Sequence, residues 1–296
     1  MASNNAVAVS AFIEGAPPGE LADVVTDIKA LTEDDPTLLE KARPAFQKYN
    51  EEQLTTVKLP GGGGKKNVLI SSYNSLGEGR YYDVESQSSF AFDHAAQVRA
   101  RPCDAVRWAK LMRGAGGGQK ASDVQSHTLE SEHGDLISSL SKTLTTHAHE
   151  HYPSSTSAVF PVATTASLAI LLVSNKYSPS NFWNGRLRTT YLYHPATTAL
   201  TGTLKCDVHY YEDGNVRLLT TKTLPPTTIS PSASEIMKTI AKVEKGWQEE
   251  LNRGFSRLSE GEFKSLRRQL PVTRQKVEWE KVTSYRAGKE IGGGRR

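Results

Sequence analysis

The densest concentration of chemically active side chains lies near the C-terminus, in FKSLRRQLPVTRQKVEWEKV, Phe263 to Val282. Lys264, Arg267, Arg268, Arg274, Lys276 and Lys281 crowd together there, with Trp279 among them. Cations at that density attract an acidic partner, and an indole in their midst lets part of the contact be desolvated. Nucleic acid, an anionic membrane surface and an acidic protein face all meet that description, as does a plain solvated terminus. From Lys264 to Arg296, ten Lys or Arg stand against three Glu, a surplus of seven, so with a total charge of +4 the rest of the chain carries −3.

The other candidates for chemistry fail on spacing. Gly61 to Gly64 precede Lys65 and Lys66, but a phosphate-binding loop needs GxxxxGK followed by Ser or Thr between a strand and a helix, and none of this is present. The stretch Arg113-Gly-Ala-Gly-Gly-Gly118 has linker composition as well. His147 and His151 share a helix face with His149 nearby, yet zinc wants a third ligand and an ordered outer shell, and histidines in a last helical turn are favoured by the helix dipole alone. Glu212 and Asp213 read as turn residues. No nucleophile motif appears, so an enzyme is not expected and no cofactor or metal is implied. Cys103 and Cys206 are far apart and without CxxC partners, which suits a reducing compartment. The start, MASNNAVAVS, lacks the basic and long apolar regions of a signal peptide, and the run Leu168 to Val173 is far short of the ~20 residues of a membrane span. A cytosolic protein is expected.

Three zones of structure must position the basic segment. Residues 8–52 read as short helices: Pro17 and Pro18 start one carrying Leu21, Val24, Val25, Ile28 and Leu31, and Pro36 starts another with Leu39, Ala42, Phe46 and Tyr49 on one side, which Pro44 kinks or splits. Residues 53–121 hold short strands at Thr55 to Leu59, Asn67 to Ser71 and Ser88 to Phe92, and a helix is expected over 122–153. Residues 154–228 form a five-stranded antiparallel meander with one face buried. Within it Leu200, Leu204, Cys206, Val208 and Tyr210 alternate with Thr201, Thr203, Lys205, Asp207 and His209, and Asp213-Gly214 suits a two-residue hairpin turn. Residues 230–270 comprise a long helix and a short one. The long helix is capped at Ser230, bears Ile236, Ile240, Val243, Trp247 and Leu251, and ends at Gly254. Residues 271–296 are the basic tail. The fold class is α+β: N-terminal helices, then a central antiparallel meander covered by a long C-terminal helix, ending in the basic tail.

These residues carry a resemblance. APPGELADVVTDIKAL, NFWNGRLRTTY from Asn181, VHYYEDGNVRL from Val208, and FKSLRRQLPVTR with YRAGKE resemble the alpha subunits of F-actin-capping protein, in order from Phe12 to Glu290. The resemblance implies a 1:1 heterodimer with a beta subunit of similar fold, sheets joined across the dimer, and C-terminal tentacles that bind filament barbed ends and block subunit addition and loss. It carries actin contact onto Lys264, Arg268 and Arg274; Lys276, Trp279 and Val282 complete the expected actin-binding set, while Arg267 also suits structural pairing. Inhibition by phosphoinositide lipids at the same basic patch is implied too, with location at cytoplasmic actin structures. Val277, Trp279, Val282 and Tyr285 project over a broad arc, so the tail is expected to order on docking. Trp183 is expected in the core, and the glycine-rich stretches near 61 and 114 as insertions without an inherited role. The alternative is a nucleic-acid-binding module built on the basic tail.

Overall fold

The computed structural model describes residues 2–60, 67–95, 121–128, 131–152, 154–162, 165–211 and 216–257. Four helices open the chain: α1 (Ala2–Glu14), α2 (Leu21–Leu31), α3 (Pro36–Lys41) and α4 (Arg43–Glu52). They share a core of Val9, Ile13, Leu21, Val25, Ile28, Ala42, Phe46 and Tyr49. Pro36 occupies the first turn of α3, where the Asp35 carboxylate accepts from the Thr37 amide at 2.9 Å. Pro44 splits the helical stretch as its missing N–H requires: α3 stops, Ala42 serves as the joint, and α4 begins with the proline in its own first turn. Two expectations are corrected. Pro17 and Pro18 lie in a turn before α2, held by the Tyr49 hydroxyl donating to the Pro17 carbonyl at 3.1 Å. Leu31 is 78% exposed, because α2 ends there and the chain turns away from the helical core.

Two small sheets follow. β1 (Thr56–Lys58) pairs with β2 (Asn67–Leu69), and a four-stranded sheet runs in the order β3 (Ser75–Gly77), β4 (Arg80–Asp83), β5 (Ser88–Ala91), β6 (Ser122–Ser126). The helix expected over 122–153 is therefore shorter than expected. Residues 122–126 have a single apolar member and no helical stripe, and their backbone pairs with β5 through Ser88↔Ser126 and Ser89↔Gln125. The helix, α5, spans Gly134–His151 and buries Ile137, Leu140, Leu144 and Ala148 at spacings of three, four and four.

The meander is present: β7 (Ser155–Val162), β8 (Ser167–Ser178), β9 (Trp183–His194), β10 (Ala199–Tyr210) and β11 (Val216–Thr228) lie in the antiparallel order β11-β10-β9-β8-β7. Both faces of its centre are covered, where only one was expected. Leu168, Ile170 and Leu172 of β8 face one core, and Ala169, Leu171 and Val173 face another with Leu54, Leu69, Tyr82 and Phe160. That second core is supplied by the small sheets and the end of α4, which a reading of the meander alone does not include. The last described pair of the β10–β11 hairpin is Tyr210↔Val216. This sets an odd number of intervening residues rather than the even number of a two-residue turn; residues 212–215 lie outside the described residues.

The first core lies beneath α5 and the long helix α6 (Ala233–Arg257). At ~1.5 Å per residue its 25 residues extend about 37 Å. Ile236, Ile240 and Trp247 are buried and Val243 and Leu251 partly so, as the 3.6-residue spacing requires; each fully buried apolar side chain contributes about 1.5–3 kcal/mol. The helix starts after Ser232, whose carbonyl accepts from the Ile236 amide at 3.0 Å, so Ser230 and Pro231 precede the cap. It also continues through Gly254. A glycine inside a helix costs only about 1 kcal/mol against alanine, too little to stop a helix that one face already holds. The short helix expected near 259–269 lies outside the described residues.

Candidate functional site

Lys264, Arg268, Arg274, Lys276, Trp279 and Val282 all lie outside the described residues, as do Arg267, Gly61 to Gly64 and the Arg113–Gly118 stretch. The structure therefore defines the base from which the basic segment departs. That base is α6, and its attachment to the sheet is the part of the site with resolved geometry.

Hydrophobic spacing lays α6 along the meander, and one polar cluster fixes its position. Glu244 falls on the apolar stripe, four residues after Ile240 and three before Trp247, and is 3% exposed. Its Oε2 accepts from the Tyr152 hydroxyl at 2.7 Å and lies 2.8 Å from His147 Nε2 on α5, and its Oε1 accepts from the Tyr191 hydroxyl of β9 at 3.1 Å. Gln248, one turn further along α6, donates to the Tyr152 oxygen at 3.3 Å. Burial, and next the charge of Glu244, hold both phenols far above the ordinary tyrosine range, so they remain protonated donors. A buried carboxylate with three partners is directional where apolar packing is not: it sets both the rotation and the axial register of α6. Tyr191 reaches it because its cross-strand neighbour is Gly202. A Cβ there would come within 2.8 Å of the ring's Cε1 and closer still to Cδ1.

The opposite face of β9 and β10 is polar where solvent was expected. Asp207 and His209 are buried, 1% and 8% exposed, because the N-terminal helices cover them. Asp207 accepts two bonds from Arg217, from Nε at 2.9 Å and Nη2 at 2.7 Å, and this pairing raises the guanidinium's pKa above its ordinary value. His209 Nδ1 lies 2.8 Å from Glu20, whose Oε1 also accepts from Asn184 Nδ2 at 2.9 Å. Arg217 in addition donates to the Gly15 carbonyl, so the α1–α2 connection is tied to the sheet. Trp183 is in the interior, 7% exposed. Among the described residues the outer strand of the meander, β11, has β10 as its one strand neighbour and leaves Val216 and Leu219 54% and 63% exposed. Such an edge can accept a further strand.

The rings of His147 and His151 have centroids 4.7 Å apart and are tilted by 54°, and His147 is engaged by Glu244. Among the described residues no group of three potential ligands is placed to hold a metal ion, and no helix is long and apolar enough to cross a membrane. Glu244, Tyr152 and Tyr191 were not singled out by sequence. The signal was a glutamate at a position where the helical stripe calls for an apolar residue.

Comparison with known proteins agrees with the fold. A family model described as the F-actin capping protein alpha subunit matches residues 9–110 and 117–290. The chain is 56% identical over 294 residues to an F-actin-capping protein subunit alpha of Neurospora crassa, covering 99% of this chain and 98% of the relative. It is 34% identical over 295 residues to the protein of the same name from Caenorhabditis elegans, covering 95% of each. Among solved structures, a homodimeric actin capping protein alpha subunit from Plasmodium berghei aligns with a TM-score of 0.66 at 17% identity, covering 92% of this chain and 99% of that one.

Proposed function

Since this chain belongs to the F-actin capping protein alpha-subunit family, we propose that it pairs with a beta subunit in a 1:1 heterodimer that binds filament barbed ends and blocks subunit addition and loss. The observation that carries the proposal is the near full-length match to relatives that bear that name, at up to 56% identity among those compared. In this reading the protein is a cytoplasmic binding protein of actin structures rather than an enzyme. The open edge of β11 supports assembly through a shared sheet. Lys264, Arg268, Arg274 and Lys276 meet the acidic surface of actin, Trp279 and Val282 supply the desolvated part of the contact, and phosphoinositide headgroups compete for the same cations.

Seeded actin elongation with the co-expressed pair tests the proposal. Growth from barbed ends stops at substoichiometric protein if it is right and continues unchanged if it is wrong. The triple variant Lys264→Ala, Arg268→Ala, Arg274→Ala loses roughly 1–3 kcal/mol per contact, several orders of magnitude in affinity together, with the heterodimer intact. Wild-type capping by that variant overturns the site assignment and leaves the family unaffected. Because the solved chain it resembles is described as homodimeric, light scattering on this chain expressed alone separates the assemblies: a stable homodimer argues against an obligate beta partner.

A further inference from the structure

The face of β9 and β10 turned toward α4 holds a charge arrangement that nothing described so far explains. Arg188 of β9 stands directly opposite Lys205 of β10, while Arg186, two residues away on the same face, stands opposite Asp207. Like charges directly opposite one another in an antiparallel pair are destabilising. Arg188 is only 8% exposed and so bears most of the cost, whereas Lys205 is exposed and its charge is screened by solvent. Among the described residues no carboxylate pairs with any of the three. Arg186 donates to the Asn175 Oδ1 at 2.6 Å, to the Gln53 carbonyl at 3.1 Å and to the Tyr177 hydroxyl at 2.6 Å, all neutral groups. Arg188 Nη1 donates to the Glu52 carbonyl at 2.5 Å, and Arg188 Nε is buried with no hydrogen-bond partner among the described residues. Of the nearby acids, Asp207 is committed to Arg217 and Glu51 to the Tyr81 hydroxyl and Gln47, while Glu52 lies close enough to favour the Arg188 charge without forming an ion pair with it. Lys48 is likewise held by Glu14.

A cavity of about 450 Å³ opens on this point, walled by α4 and by the turn at Ser71 to Tyr73. Its strand floor is Arg188 opposite Lys205 and, one step along the same face, Thr190 opposite Thr203. Lys48, Glu51 and Glu52 line the α4 side, so the charges there nearly cancel, whereas on the strand floor two cations beside two hydroxyl donors make a surface for oxyanions. The volume falls in the range of small-molecule sites rather than of a single trapped ion. We propose that this cavity is a binding site for a small molecule bearing carboxylate or phosphate groups, with Arg188 and Lys205 as its charged contacts. Bound there, the anion relieves the cross-strand repulsion. The site lies on the sheet face opposite α6.

Isothermal titration of the co-expressed heterodimer with inorganic phosphate and, separately, with citrate tests the site, in chloride buffers of equal ionic strength. The expected result is saturable 1:1 binding of at least one of them, weakened at least tenfold by Arg188→Gln and by Lys205→Gln; which of the two binds distinguishes a phosphate from a carboxylate ligand. Lys205 is exposed, so its variant decides the matter if the Arg188 variant fails to fold. Absence of saturable binding to the wild type, or equal affinity in the Lys205 variant, overturns the proposal. A complex that blocks elongation but binds neither anion refutes the cavity and leaves the capping role standing.

Discussion

Replacing Glu244 by alanine should be among the most damaging single changes available in the described body of the protein. The carboxylate is 3% exposed and serves two buried phenols and His147 at 2.7–3.1 Å. Its removal strands these donors, and each buried donor left without an acceptor costs roughly 1–3 kcal/mol. His147 has 12% of its side chain exposed and can recover a water, so the two phenols set the sum at about 2–6 kcal/mol. Glu244→Gln keeps the shape and one acceptor and should cost about 1–2 kcal/mol. The decisive comparison is Glu244→Leu combined with Tyr152→Phe and Tyr191→Phe. If the cost lies in unsatisfied donors, removing donors and acceptor together recovers most of it, despite two more substitutions. The assay is urea unfolding of the purified complex at fixed protein concentration, since stability is linked to assembly. A Glu244→Ala variant within about 1 kcal/mol of wild type refutes the reasoning, as does a triple variant no more stable than Glu244→Ala.

Three further outcomes follow from the geometry. Burial pushes the Cys206 thiol up to about 12, so in a Cys103→Ser background iodoacetamide at pH 8 should leave the native protein unlabelled by mass spectrometry and label it fully in urea; rapid native labelling contradicts the buried placement. Gly202→Ala forces the Tyr191 ring away from Glu244 and should lower the urea midpoint by the equivalent of about 1–3 kcal/mol, and an unchanged midpoint would mean the ring has room to move. His94, against Tyr81 and Asn50, is held below its ordinary 6.5 chiefly by burial. The unfolded chain therefore takes up its proton first, so this contribution to stability is fully present above pH 6.5 and is lost as pH falls below it. His94→Gln should flatten stability against pH in that range, and an unchanged slope would remove His94 as the cause.

What could be read from the sequence was whatever repeats along it. The meander announces itself because Leu200, Leu204 and Cys206 recur every second residue or multiple of two, and α6 because Ile236, Ile240, Val243, Trp247 and Leu251 recur at three or four. Strands β3, β4 and β6 have three to five residues each, too few to establish a period, and only their pairing partners define them. Asp207 and His209 alternate like solvent-facing residues, and nothing local reveals that a helical layer more than 150 residues earlier covers them. Glu244 escaped for a related reason: charge outweighs position in a local reading, although its place on the stripe was visible. The tail's composition suggested an acidic partner without defining its conformation, since its apolar residues share no single face in a helical projection.

The attachment of α6 also has a mechanical reading. Leu251 is the last apolar residue of the described helix packed on the core, and Arg257 lies six residues beyond it, so the end of the helix forms a beam overhanging its bearing by about 9 Å at ~1.5 Å per residue. Tension along the axis loads the row of apolar contacts and the Glu244 bonds in shear, all together, and they must fail together. A sideways pull acts instead through a lever arm and concentrates at Leu251 and Trp247, one contact at a time. The attachment of α6 is thus stiff along the helix and compliant across it.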